Sequence, residues 1–253
     1  MKKFTNIPVS LIQYALVNRK ISHLKLYIHL KLEDNGYVEY NKSSCKKWAE
    51  DIGMHEKTVK KSLDWLIENK WITGNRKRSV LRIISYRNLS LKLDLSLKTG
   101  YLFEPENYKN FKALCCAVVI CYYLCKKRYF NRRSGNIKGF PITNSQKSNG
   151  FYPMANGYLA KCLNISISTA CRYKQDAEEV GYIKTKRSFS FLEDRSGNRA
   201  KSECFEVVKY VNNLEGLPNR IRKGKKYLKQ VEADLIHSCI KCKKKHYESK
   251  GKK

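Results

Sequence analysis

The sequence predicts a mainly α protein with small β elements (α+β), made of one helix-and-strand unit that occurs twice. Three observations predict it. Apolar residues recur at the 3.6-residue helical period in several segments, and short alternating runs follow them. One 25-residue pattern also returns, in register, 111 positions later.

The first unit begins with "SLIQYALVNRK" from residue 10, a short amphipathic helix. "ISHLKLYIHLKLED" (21–34) forms a second helix, with Leu24, Tyr27, Ile28 and Leu32 on one stripe. Asn35-Gly36 breaks it, and "YVEY" (37–40) alternates as a strand does. "SSCKKWAEDIG" restarts a helix with Ser43 or Ser44 as N-cap. Gly53 ends it, because glycine accepts the left-handed conformation that follows a helix. A helix over residues 56–69 comes next, then "WIT" as a strand, "GNRKRS" as a turn and "VLRIISY" (80–86) as a returning strand. Helix, strand, helix, helix, strand, turn, strand is the order of a winged helix-turn-helix.

The second unit rests on an alignment within the chain. "WAEDIGMHEKTVKKSLDWLIENKWI" (48–72) falls without a gap on "LAKCLNISISTACRYKQDAEEVGYI" (159–183). Ala49 meets Ala160, Thr58 meets Thr169, Trp71 meets Tyr182 and Ile72 meets Ile183. Gly53 meets Asn164, and these residue types best tolerate the left-handed turn. The flanks repeat as well. A long apolar helix, "FKALCCAVVICYYLCKKRY", precedes the second copy. "YIKTKRSFSF", a turn at "EDRSGNRAKS" and "ECFEVVKYV" follow it as a longer wing.

Two winged helix-turn-helix domains in tandem are therefore expected, at 1–88 and 108–214. The strand-like alternation of "NLSLKLDLSLKTGYLFEPEN" places a linker at 89–107. A polar, basic insertion at 131–150 reads as a mobile loop of the second domain. Residues 215–253 read as a basic C-terminal helix and tail, with Ile221, Tyr227, Leu228, Val231 and Leu235 as a thin apolar stripe over 219–240.

Composition narrows the partners. The 42% hydrophobic share can build cores, so the chain is no disordered polyelectrolyte. Against 22 Asp+Glu stand 52 Lys+Arg, a formal net charge of +30. Such a surface attracts polyanions, and a duplex presents about one negative charge per 1.7 Å with counterions to release. Nucleic acid is therefore the leading partner, and double-stranded DNA is the one expected; ribosomal RNA and anionic membrane fit the same charge, but no membrane partner is expected. "MKKFTNIPVS" lacks the apolar core of a signal peptide, and "ALCCAVVICYYLC" (113–125) is too short to span a bilayer. The expected location is the cytoplasm of a bacterial cell or phage-infected host. Ten cysteines then read as reduced thiols, with Cys115, Cys116, Cys121, Cys125 and Cys162 inside apolar helical patterns as small hydrophobes.

In a helix-turn-helix the second helix enters the major groove by its N-terminal half. It needs an inward apolar stripe and outward donors. In the first unit Val59, Leu63 and Leu66 are spaced to face inward, leaving His55, Lys57, Thr58, Lys60 and Lys61 outward. In the second, Ala170, Ala177 and Val180 face inward, and Ser166, Ser168, Thr169, Arg172 and Gln175 outward. Arginine makes a bidentate fork to guanine and glutamine a bidentate pair to adenine, so the second helix carries the better base-reading set. Lys174 stands where the first unit has Leu63, a departure that thins its inward stripe. The wings contribute Arg76, Lys77 and Arg78, and Lys184, Lys186, Arg187, Arg195, Arg199 and Lys201, as phosphate or minor-groove contacts.

The tail "HSCIKCKKKH" holds His237, Cys239, Cys242 and His246, all zinc-ligand residue types. Four ligands within ten residues close a tetrahedron poorly, and intervening lysines repel a dication, so no bound metal is expected. The five histidines are scattered, and neither a phosphate-binding G-x-x-x-x-G-K-[ST] loop nor a carboxylate cluster for magnesium stands out. No catalytic residue and no cofactor are expected.

"FTNIP" at 4–8, "LKLYIHL" at 24–30 and "WAEDIGMHEKTVKKSLDWLIENKWI" at 48–72 resemble the N-terminal helix-turn-helix domains of phage and plasmid replication initiators and replisome organisers. The resemblance covers residues 4–86, and many bacterial regulators share its last motif. Two winged helices in one chain are also similar in architecture to iteron-binding plasmid initiators, by analogy alone. The resemblance implies origin binding and contact with replication machinery, and it leaves a homodimer open. A transcriptional regulator of the same shape and an RNA-binding or protein-interaction protein are the alternatives.

Overall fold

Val59, Leu63 and Leu66 are fully buried along one side of a helix over Glu56–Glu68, as their spacing requires. This computed structural model describes residues 4–33, 36–41, 43–75, 79–133, 150–186, 192–193, 220–223, 226–229 and 233–244. Within them the protein is a mixed α+β structure of eight α-helices and four small antiparallel sheets. The chain divides into two units, Met1–Tyr122 with Ile240–Lys253 and Tyr123–Cys239.

The first unit starts with β1 (Thr5–Pro8), α1 (Val9–Val17) and α2 (Ile21–Glu33). Leu26, His29 and Leu30 of α2 are buried beside the expected Leu24, Tyr27 and Ile28, so this helix is covered on most of its surface. β2 (Tyr37–Glu39), α3 (Ser44–Ile52), α4 (Glu56–Glu68), β3 (Ile72–Asn75) and β4 (Val80–Ile83) follow, the strands in the order β2-β4-β3. Trp71 binds this unit together, its ring 5.3 Å from Tyr27 and 5.4 Å from Trp65. The Tyr27 hydroxyl donates to the Ile84 carbonyl at 2.8 Å, which satisfies the polar tip of a fully buried side chain.

The segment expected as a linker is structured. Ser85 Oγ accepts from the Asn88 N–H and starts α5 (Tyr86–Lys92), where alternation had suggested a strand. A period of two cannot line one helical face, so Leu89 is buried while Leu91 is 74% exposed. β5 (Thr99–Phe103) then pairs with β1, placing Thr5 opposite Phe103. β12 (Lys243–Lys244) joins the other edge of β5, and the Cys121 thiol lies 3.4 Å from the Ile240 carbonyl. After a 3₁₀ turn at Pro105–Tyr108, α6 (Phe111–Arg133) carries Cys115, Cys116 and Cys121 buried; Cys125 is exposed, against expectation.

The second unit contains β6 (Tyr152–Pro153), α7 (Asn156–Leu163), α8 (Ile167–Glu179) and β7 (Ile183–Lys186). Its backbone repeats the first unit's hydrogen bonds at the 111-residue offset. Met54 N–H donates to Ala49 and Ile165 N–H to Ala160; Trp71 N–H donates to Leu66 and Tyr182 N–H to Ala177. Gly53 and Asn164 both take the left-handed conformation, with φ of 61° and 52°.

Its sheet also repeats the strand order of the first, but one strand has another source. The middle strand is β11 (Leu235–Ser238), which places Ile236 opposite Tyr152 and Thr185. "ECFEVVKYV", expected in that place, lies outside the described residues. The C-terminal helix expected over 219–240 is instead β9 (Arg220–Lys223), β10 (Lys226–Lys229) and β11, with β9 and β10 in a sheet with β8 (Leu192–Glu193). The strands conform to a signal in the sequence, a Gly-Lys pair at 224–225 between two extended runs, which favours a two-residue hairpin and disfavours a helix interior.

Lys174 explains its own departure from the pattern. It is buried like Leu63, but its Nζ donates to the Met154 carbonyl at 2.7 Å and meets Asp234 Oδ2 at 2.9 Å. The ammonium thus ties α8 to the residue after β6 and to the residue before β11.

Candidate nucleic-acid interface

Helix α4 turns a row of donors to solvent because its opposite side is committed to the core. His55, Lys57, Thr58, Lys60 and Lys61 are all exposed. They are not equivalent. His55 is the N-cap, its Nδ1 accepting from the Lys57 N–H at 3.1 Å. Lys60 Nζ lies 2.6 Å from Glu56 Oε1, one turn back. That hydrogen bond and the attached charge raise the Lys60 pKa and lower that of Glu56. Lys57 and Lys61 therefore offer their charge outward, while Lys60 shares its own with a carboxylate. Glu56 was missed in the sequence; its i,i+4 spacing to Lys60 was the available signal.

Helix α8 has a different surface. Ser166 caps it, Oγ accepting from the Thr169 N–H at 3.1 Å and lying 2.8 Å from Thr169 Oγ1. Ser168, Arg172 and Gln175 are exposed, and Thr169 is half-buried. Asn156, Ile167, Ser168, Cys171, Arg172 and Gln175 line an open concavity of about 470 Å³. Asn156, Ile167 and Cys171 were not among the residues expected here.

Lys184 is exposed on β7, and Lys186 is partly covered, with its Nζ 4.4 Å from the Phe151 ring centroid. Such a cation–aromatic contact fixes the ammonium near the sheet edge. Arg76, Lys77 and Arg78 of the first wing, and Arg187, Arg195, Arg199 and Lys201 of the second, lie outside the described residues. So do 134–149 of the basic insertion.

The tail residues serve backbone contacts. His237 Nδ1 is 3.4 Å from the Gly150 carbonyl, and the Cys242 thiol is 3.5 Å from that of Val118. His246 lies outside the described residues. The group of metal-capable side chains among the described residues is His29, Glu33 and Asp51. His29 Nε2 lies 3.5 Å from Asp51 and 3.7 Å from Glu33, while Lys47 and the Trp48 indole N–H engage the Glu33 oxygens. These contacts fasten α2 to α3. Among the described residues, no helix is long and apolar enough to cross a membrane.

No protein-family model, curated protein or solved structure matches the chain.

Proposed function

We propose that the protein is a sequence-specific binder of double-stranded DNA without catalytic activity, built on two winged helix-turn-helix modules. One observation carries the reading. The two helices, the strand after them and their backbone hydrogen bonds recur at an offset of 111 residues, the two sheets share a strand order, and each unit turns a helix with donor side chains to solvent. Solvated charge alone explains a lysine-rich face, but not the recurrence of the same frame beneath Arg172 and Gln175. The net charge of +30 supplies the polyanion attraction. Within this class, the resemblance at 4–8, 24–30 and 48–72 favours an origin-binding replication initiator of a phage, plasmid or other mobile element, acting with replication machinery.

The test is selection of bound duplexes from a random pool by the purified chain across a salt series. A single enriched motif, with affinity falling steeply as salt rises, is the expected result. Shape-dependent RNA binding without a duplex motif would overturn the proposal.

A further inference from the structure

Ile167 is 61% exposed at the first turn of α8, in a concavity whose other walls are mostly polar. Lone exposed apolar residues are ordinary. This one has a defined setting: Cys171 lies one turn along the same helix, and Ser168, Arg172, Gln175 and Asn156 complete the walls. At the matching positions of the first unit stand Glu56 and Lys60, paired at 2.6 Å. The repeat thus exchanges an ion pair for an isoleucine and a thiol while keeping the frame.

Among the major-groove edges of the base pairs, only A·T carries a methyl group, the C5-methyl of thymine; the other recognition features are hydrogen-bond donors and acceptors. Resting on the duplex-binding reading above, we propose that this concavity takes a thymine edge, its C5-methyl against Ile167 and Cys171. Arg172 and Gln175 are then placed to read neighbouring bases by hydrogen bonds. Charge complementarity favours the duplex that carries this base, whose phosphates suit Arg172 and Lys184, exposed cations of the same unit. No acidic side chain lines the concavity. Uracil lacks the methyl, so the same contact separates DNA from RNA.

The experiment starts from the duplex motif selected by the full chain. Each thymine is replaced in turn by deoxyuridine, which removes one methyl and nothing else. Wild-type protein should lose about three- to tenfold in affinity at one position. Ile167→Ala should bind the thymine duplex that much more weakly and be indifferent to deoxyuridine there. Cys171→Ser should reduce the sensitivity in part. Ile167 is exposed, so this variant keeps its core, and unchanged circular dichroism confirms folding. A motif without thymine, uniform tolerance of deoxyuridine, or full sensitivity retained in Ile167→Ala would overturn the proposal while leaving duplex binding intact. Failure to select any motif overturns the duplex-binding reading itself, and this proposal with it.

Discussion

Lys174 and Asp234 form an ion pair at 2.9 Å, with 5% and 12% of their side chains exposed. The pair joins the helix that carries Arg172 and Gln175 to the residue just before β11. Removing one partner of a buried pair leaves an uncompensated charge. Asp234→Ala should therefore cost about 3–5 kcal/mol of stability. Adding Lys174→Leu, the residue type at the matching position of the first unit, should recover much of that loss. Urea unfolding of the three proteins checks both statements. An Asp234→Ala protein as stable as wild type would contradict them.

The turn between the helices gives a second prediction. Gly53 and Asn164 hold φ of 61° and 52°, a region that costs other residues about 1–2 kcal/mol. Gly53→Ala and Asn164→Ala should each destabilise by about 1 kcal/mol, and Asn164→Gly should not. Nothing lies within 4 Å of a Cβ built on Gly53, so the cost is conformational and not steric. Thermal denaturation is sufficient to separate these variants.

Acid should weaken the first unit through His23. Its ring lies 4.6 Å from Trp65, and burial, with the charge of Lys20, holds its pKa below the ordinary value of 6.5. The folded state thus prefers the neutral imidazole, and the unfolded chain binds the proton more readily. The His23 contribution is full above pH 6.5 and is lost as pH falls through and below that value. His23→Gln should shrink the drop in melting temperature between pH 7.5 and pH 5. An identical drop in both proteins would show that His23 does not cause it.

The exposed surfaces of the two units should respond differently to charge. Glu56→Gln removes a carboxylate and releases Lys60 from its partner. Duplex binding should tighten, with a salt slope steeper by about one unit. Lys184→Ala should weaken all sequences alike and flatten the slope by about one unit. Arg172→Ala should instead cost about 1–3 kcal/mol at one base position and relax preference there. Unchanged preference in Arg172→Ala would mean that α8 is not the reading helix.

Local periodicity made much of this legible in the sequence. The spacing of Val59, Leu63 and Leu66 marked the buried side of α4, and Gly53 and Asn164 marked the turns. The exposed donors follow by exclusion from the core side. Long-range pairing was not legible, because nothing local to Leu235–Ser238 names Ile183–Lys186 as its neighbour. Lys174 misled for a related reason: its partners are a carbonyl 20 residues away and a carboxylate 60 residues away. The stripe read over 219–240 fitted a helix only if Gly224 was ignored. Ile167 lies one turn before the buried Ala170 yet is 61% exposed, at the first residue of the helix.

The late arrival of β11 has a consequence for synthesis. In the first unit four residues (76–79) separate the last two strands of the sheet; in the second 48 residues (187–234) intervene. By loop-closure entropy alone the longer excursion costs about 2 kcal/mol more. A ribosome that has passed Lys186 has made α7, α8 and both outer strands of that sheet, but not its centre. The nascent second unit must therefore wait with β6 and β7 lacking their shared partner until Leu235–Ser238 emerges, whereas the first can zip its own β2-β4-β3 sheet as soon as Ile83 is clear.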